Sequence, residues 1–177
     1  TPVPVGDVVR AALSEIEHYA RVDIGDLGDH GKVMVQGALA PDVAHLLAEL
    51  LENATSFSSP STRVMVVGRS VGSGHQLAIV DYGIGRSEDE LAAANASLRR
   101  QADFGTESSK VLGFQVVARI AARFGIQVVL ANTAGATGIT AIIKLPAEVF
   151  DSRVAPPITA SNGARLTPEP PAIVQVP

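Results

Sequence analysis

The chain has 177 residues, 46% of them apolar and only 4% aromatic, so one domain with a core of Val, Ile, Leu and Ala is expected. Its formal net charge of −4 argues against binding to nucleic acid or to an anionic membrane through overall charge, and the lack of cysteine excludes disulfides and thiolate metal sites. No run of 18 apolar residues predicts a membrane-spanning helix.

The first 40 residues predict one helix and one short strand. Asp7 is placed to cap a helix over residues 8–19, where apolar residues recur at helical spacing. Residues 23–32 are rich in Gly and Asp and predict a turn region. Residues 32–39 alternate enough to predict a strand.

The segment 46–60 predicts an amphipathic helix that carries two polar side chains one turn apart. Pro41 suits the first turn of this helix, and Pro60 lies just beyond its end. Glu49 and Asn53 lie about 40° apart at the edge of the apolar sector, as i and i+4 positions do. The helix therefore either lines a cleft with these two groups or has an ordinary solvated border.

The remaining segments alternate between strands and helices. A hairpin turn at Gly72-Ser73-Gly74 separates two predicted strands, and a long polar stretch before Gly113 predicts a functional lid. The predicted strands are 63–71, 76–80, 126–131 and 139–145, the helices are 88–98 and 113–124, and the lid is 99–112.

This order of elements predicts an α+β fold with one sheet and helices on one of its faces. We expect one domain over residues 1–150. The composition changes at residue 151, because more than half of the 11 prolines follow it, and residues 151–177 predict a disordered tail. Since the chain begins at Thr1, we expect it to be a piece of a longer protein.

Several polar groups are candidates for a binding site. Asp81 ends a strand, where a carboxylate can accept a hydrogen bond from an exocyclic amine, and Gly83 and Gly85 let the backbone approach a flat ligand. Gly113 is expected to open a helix whose free N–H groups bind an anion, with Lys110 adding charge. Taken singly, each of these is also compatible with an ordinary turn or helix start.

The four motifs together resemble a known family. Glu49-x-x-x-Asn53-Ala54, Asp81-x-Gly83-x-Gly85, Gly113 and Gly138-x-Thr140 occur in the order found in the ATP-binding catalytic domain of bacterial sensor histidine kinases. These domains belong to a superfamily with the DNA gyrases, the Hsp90 chaperones and the MutL proteins. The resemblance covers about residues 5–150, and AHLLAELLENATSFSSP is its most similar stretch.

The resemblance implies a Bergerat-type two-layer sandwich with a mixed sheet of about five strands, which binds ATP and Mg²⁺. Carried over by position, Asn53 holds Mg²⁺, Asp81 accepts from the adenine amino group, and Thr140 lies near the adenine. Residues of the turn beside adenine and of the lid beside the phosphates complete the implied site: Gly83, Gly85, Lys110 and Gly113.

Two positions depart from the typical kinase pattern. Glu49 stands where many histidine kinases have asparagine and where the gyrase and Hsp90 branches have a water-orienting glutamate, so we hypothesise a catalytic or Mg²⁺-supporting role for it. The lid motif GxGLGL keeps a single glycine, Gly113, which leaves fewer backbone donors for the triphosphate.

The resemblance implies a protein-histidine kinase that donates the γ-phosphoryl of ATP to a histidine on helices outside this chain, since His18 lies in no phosphoacceptor motif. Implied partners are these dimerisation helices and a response regulator, with no nucleic acid. The implied location is cytoplasmic, as part of a membrane-bound sensor. Two alternatives remain open, a degenerate nucleotide-binding or interaction module and an ATP-hydrolysing switch.

Overall fold

The computed structural model describes residues 1–29, 32–99 and 109–151, and of residues 109–112 it describes the backbone alone. The helices of this part are α1 (Val5–Ser14), α2 (Ala40–Phe57), α3 (Glu88–Arg99) and α4 (Ser109–Phe124). The strands are β1 (Val3–Pro4), β2 (Val22–Ile24), β3 (Met34–Val35), β4 (Val64–Val71), β5 (Gly74–Val80), β6 (Gln127–Asn132) and β7 (Ile139–Leu145).

Five of the strands form one mixed sheet in the order β2-β4-β5-β7-β6. The β2–β4 pair is parallel and the other pairs are antiparallel. The register places Met65, Val80, Thr140 and Ala131 side by side across four strands. Strands β1 and β3 form a separate two-residue antiparallel pair.

The helices cover one face of this sheet. Alternation along β5 and β7 turns Leu77, Ile79 and Ile143 toward the helices, where each is at most 1% exposed. Helix α2 packs between α1 and α4 on this face. The apolar sector of α2 supplies Leu46 and Leu47 to the same core. The side of α2 that carries Glu49 and Asn53 is therefore held in a fixed position above the sheet.

Helix α3 covers the edge strand β6 through one side chain. The Asn95 amide donates to the Leu130 carbonyl at 2.9 Å and accepts from the Leu130 N–H at 2.8 Å. An exposed edge strand offers unpaired backbone groups for pairing with other chains. Asn95 satisfies two of those groups, and it fixes α3 beside the strand.

The predicted fold class is confirmed, and some element boundaries are wrong. The first helix begins at Val5, three residues early, and ends at Ser14. The region predicted to be a turn, residues 23–32, begins with the last two residues of β2, which pair with β4, and the predicted strand over residues 32–39 shortens to two residues. The helix predicted to start at Gly113 begins at Ser109.

Two predictions concern segments outside the described residues. Most of the proposed lid lies in residues 100–108, and the proposed disordered tail lies in residues 152–177. The domain boundary at residue 150 stays a prediction. Within the part of the chain that the structure describes, no helix is both long and apolar enough to cross a membrane.

Candidate functional site

Asp81 is a buried carboxylate at the end of β5. It is 5% exposed, and its Oδ1 accepts hydrogen bonds from the backbone N–H groups of Gly83 and Ile139, both at 3.0 Å. These bonds fix the orientation of the carboxylate. Oδ2 accepts no hydrogen bond from any residue that the structure describes, so it remains available as an acceptor for a ligand.

The turn before β7 is built closely against Asp81. Gly138 has a φ of +116°, and a Cβ at this position would collide with the Asp81 carbonyl oxygen. The Thr133 hydroxyl donates to that same carbonyl at 2.9 Å and lies 3.1 Å from the Thr140 hydroxyl. Thr140 thus supports Asp81 through Thr133, and it does not line the pocket described below.

Asn53 lies on α2 and faces the same space. Its Nδ2 atom is buried and has no hydrogen-bond partner among the described residues. A buried polar atom without a partner costs roughly 1–3 kcal/mol, so such atoms in a folded protein point to a ligand, an ion or a water. The nitrogen and oxygen of an amide exchange places by a flip of the group, so this end of Asn53 serves equally as an oxygen ligand.

Glu49 lies one turn before Asn53 and packs against α4. A Cβ added to Gly113 would stand 2.9 Å from Glu49 Oε2 and 4.0 Å from Asn53 Nδ2. The missing side chain of Gly113 therefore makes room for the carboxylate and the amide. Three of the residues predicted from the sequence come together here.

The role expected for Gly113 changes with the position of the helix start. Gly113 is the fifth residue of α4, so its own N–H is within the helix. The free N–H groups of the first turn belong to residues 109–112. Gly113 serves as the point of close approach between α4 and α2. The side chain of Lys110 lies outside the described residues.

His45 adds a group that the sequence motifs did not indicate. It lies one turn before Glu49, with Nε2 3.8 Å from Glu49 Oε1 and Nδ1 3.3 Å from Oε2 of Glu15, the residue that follows α1. The imidazole links the candidate catalytic carboxylate to the end of a second helix. The i, i+4 spacing of His45 and Glu49 was visible in the sequence, whereas the contact with Glu15 was not.

Arg21 fixes the far end of α2. Its guanidinium donates to the Thr55 carbonyl at 2.9 Å, the Ser58 hydroxyl at 2.7 Å and the Ser59 carbonyl at 2.7 Å. A cation at a helix C-terminus satisfies free carbonyls and suits the helix dipole. Arg21 thereby holds the end of the helix that carries Asn53 and Phe57.

A pocket joins Asn53 and Asp81, whereas Glu49, Gly113 and Thr140 do not line it. It has a volume of about 40 Å³ and lies between α2 and the inner face of the sheet. Asn53 and Asp81 both line it, together with Phe57, Arg86 and Phe114. Gly85 lines a neighbouring pocket with Asp81, and Gly83 packs against the end of α2 near Ser58. The remaining walls of the pocket are apolar: Leu50, Ala54, Ile79, Leu130, Ile139 and Ala141.

The described residues contain no group of three or more His, Cys, Asp or Glu side chains arranged to hold a metal ion. Asn53 and Glu49 are hard oxygen donors on one helix edge, which is the ligand type that Mg²⁺ takes together with phosphate oxygens and waters. The unpartnered amide of Asn53 is the structural feature that fits such an ion.

In this arrangement, a buried carboxylate at the end of a strand lines the same pocket as an amide on the covering helix. The family described as histidine kinase-, DNA gyrase B- and HSP90-like ATPase matches residues 38–149. The chain therefore belongs to this family, and the resemblance seen in its motifs is confirmed.

Solved structures show the same fold. A mycobacterial sensor histidine kinase, MprB, is 20% identical with a TM-score of 0.64, covering 82% of this chain and 96% of that one. The nucleotide-free catalytic domain of the histidine kinase ThkA is 15% identical with a TM-score of 0.65, covering 82% and 94%. Full-length ShkA in complex with AMPPNP is 17% identical with a TM-score of 0.66, covering 88% of this chain and 32% of ShkA. No curated protein sequence matches the chain.

Proposed function

We propose that the chain is the Mg-ATP-binding catalytic domain of a two-component sensor histidine kinase. One observation carries the proposal: the free acceptor of Asp81 and the unpartnered amide of Asn53 line the same pocket between α2 and the sheet. A purine amine and a metal-bound phosphate are the two ends of ATP that these groups suit.

Asp81 recognises the adenine in this proposal. With Oδ1 held by two backbone N–H groups, Oδ2 accepts a hydrogen bond from the exocyclic amine. The apolar walls, which include Ile79, Ile139 and Ala141, cover the flat faces of the ring. A base that presents an oxygen in place of the amine would meet the carboxylate with repulsion, so the site discriminates against guanine.

Asn53 holds Mg²⁺, and Glu49 supports it or acts on the reaction itself. Mg²⁺ would supply charge neutralisation to the phosphates. The Glu49 carboxylate lies against Gly113 and is 30% exposed, so a water or an incoming imidazole can reach it. Lys110 and Gly113 are proposed on the phosphate side, and Gly83, Gly85 and Thr140 on the adenine side.

The acceptor is proposed to be a histidine on the dimerisation helices of the parent kinase, and a response regulator then receives the phosphoryl group. Phosphoryl transfer depends mainly on positioning and charge neutralisation, which a site of this composition provides. The parent is proposed to be a membrane-bound sensor with this domain on the cytoplasmic side. The domain is proposed to cover residues 1–150.

A second candidate function is ATP hydrolysis. The position of Glu49 favours it, because a carboxylate one turn before Asn53 and against Gly113 can orient a water as well as an imidazole. The two functions differ in their product. A kinase leaves acid-labile phosphate on a histidine of a helical domain that is added in trans, and a hydrolase releases inorganic phosphate at the same rate with or without that domain.

Thermal unfolding with and without Mg-ATP tests the proposed binding. A ligand at 100 times its dissociation constant adds about 2.7 kcal/mol to the free energy of unfolding, which raises Tm by several degrees in a domain of this size. We expect that shift with Mg-ATP and a smaller one with Mg-GTP. An unchanged Tm at millimolar Mg-ATP would contradict the proposal and favour an interaction module that does not bind nucleotide.

A further inference from the structure

Arg86 is a cation that lines the pocket, and the proposed chemistry does not use it. Its Cζ atom lies 4.9 Å from the centre of the Phe57 ring, within the range of a cation–π contact. Arg86 forms no salt bridge among the described residues, and its charge adds to the hydrogen bonds from Ser87 that lower the pKa of Glu90. The nearby Glu90 carboxylate instead accepts hydrogen bonds from the Ser87 N–H and hydroxyl.

The contact between Arg86 and Phe57 belongs to the walls of two pockets beside Asp81. The inner pocket, which Asn53 also lines, has about 40 Å³, and the outer pocket has about 280 Å³. Phe57, Asp81, Arg86 and Ile139 line both. The two pockets therefore share part of their wall, and Arg86 in this shared wall is only partly buried.

The inner pocket by itself is too small for a purine. A water occupies roughly 10–15 Å³ on this measure, so the inner pocket holds a few waters and no bicyclic base. Joined, the two pockets reach the lower end of the range for small-molecule sites, roughly 300 Å³. Movement of the Arg86 guanidinium off the Phe57 ring would join them.

We propose that Arg86 is a base-contacting residue of the nucleotide site, where its guanidinium leaves Phe57 and stacks on the face of the purine. This inference rests on the proposed binding of nucleotide. A planar guanidinium stacks on aromatic faces, so the contact with the base replaces the contact with Phe57 at little cost. Asp81 then reads the edge of the base, and Arg86 covers its face.

Dissociation constants for adenosine and for Mg-ATP, measured by calorimetry on the full chain, test the proposal. Because adenosine has no phosphate, it separates contact with the base from attraction to the triphosphate. Arg86→Ala is expected to weaken both ligands by the same factor, about 3- to 10-fold. Arg86→Lys keeps the charge but not the planar group. It is expected to weaken the binding of both ligands almost as much as Arg86→Ala does.

Arg69→Ala is the matched control, since it removes one exposed positive charge from β4. It is expected to leave both constants unchanged. Weaker ATP binding with unchanged adenosine binding would assign Arg86 to the phosphates and overturn the proposal. If Arg86→Ala binds the ligands more tightly, the side chain only blocks entry to the site. If its binding is unchanged, Arg86 has no role in the site. Either result also overturns the proposal.

The proposed function and the role of Arg86 fail in different ways. If the wild-type chain binds neither adenosine nor Mg-ATP, the proposed function is wrong and this inference falls with it. If the wild type binds both ligands and the Arg86 variants match it, only the role of Arg86 is wrong.

Discussion

His75 is a buried titratable residue that the proposed chemistry does not use. It is 2% exposed on the inner face of β5, with its ring 6.3 Å from that of Phe150 in an edge-to-face arrangement. Burial lowers the pKa of His75, and the Leu27 carbonyl and the Asp29 carboxylate oppose only part of this shift. The folded state therefore disfavours the imidazolium.

The lowered pKa of His75 predicts that stability is lost in mild acid. The unfolded chain takes up the proton near pH 6.5 and the folded chain only at lower pH, so the free energy of unfolding is at its full value above about pH 6.5 and falls below it. The fall is at most about 1.4 kcal/mol per pH unit from this group. Urea unfolding at pH 7.5, 6.5 and 5.5 measures it.

His75→Leu is expected to flatten this pH dependence, because it removes the group that takes up the proton. His18→Gln is the control, since His18 is exposed, and it is expected to keep the wild-type profile. Equal profiles for wild type and His75→Leu would show that another group causes the loss.

The residues predicted from the sequence and those missed differ in the range of their contacts. Glu49 and Asn53 were found because they are one turn apart on one helix, and Asp81 because it ends a strand before two glycines. The missed residues act across the chain. Arg21 reaches Thr55 of α2 from 34 residues away, and Thr133 binds Asp81 from 52 away. No pattern within a short stretch of the sequence indicates such a contact.

At the scale of elements, the approach of α4 to α2 sets the geometry of the proposed phosphate side. Gly113 permits that approach, because its position faces Glu49 and Asn53. Within a helix, alanine is favoured over glycine by about 1 kcal/mol, so the glycine is kept at a cost in helix stability. The packing of the two polar groups is the structural reason for it.

Gly113→Ala is expected to keep or raise the free energy of unfolding and to weaken Mg-ATP binding several-fold. The new Cβ stands 2.9 Å from Glu49 Oε2, so the flexible carboxylate must move away from its position. Ala122→Gly on the exposed side of α4 is the control, and it is expected to cost about 1 kcal/mol with no change in binding. Chemical unfolding and calorimetry measure the two effects.

One result for Gly113→Ala would contradict this expectation. If Gly113→Ala binds Mg-ATP as the wild type does, the contact between Gly113 and Glu49 has no part in the site.

Elements with strong internal patterns were predicted well, and elements defined by pairing were not. The spans of α2, α3 and β7 follow from apolar periodicity and turn residues. Strand β2 has only three residues in a segment rich in Gly and Asp, and its parallel pairing with β4 makes it a strand. The start of α4 was missed because the polar residues before Gly113 have no apolar period of their own.

At the scale of the molecule, the order of the motifs along the chain predicted the fold. Mixed strand order brings β5 and β7 together as neighbours, so Asp81 at the end of β5 meets the turn that enters β7. The covering layer places Asn53 above them. The size of the pocket, and the contact between Arg86 and Phe57 in its wall, depend on side-chain packing, which the order of motifs does not determine.

Asp81 and Asn53, which line the same pocket, are proposed to bind the adenine and the metal-bound phosphates of Mg-ATP, and the proposed function depends on this pair above all. Calorimetric titration of ATP with and without Mg²⁺, on wild type, Asp81→Asn and Asn53→Ala, tests it most directly. Asp81→Asn keeps an oxygen for the N–H groups of Gly83 and Ile139 but replaces the free acceptor with an amide N–H donor. Thermal unfolding without ligand confirms that each variant is folded.

We predict that Asp81→Asn weakens ATP binding about 10- to 100-fold whether or not Mg²⁺ is present, because a hydrogen bond to a charged group is lost. Asn53→Ala is predicted to bind free ATP as the wild type does and to lose the gain that Mg²⁺ provides. Folded variants that both bind Mg-ATP with wild-type affinity would contradict the claim.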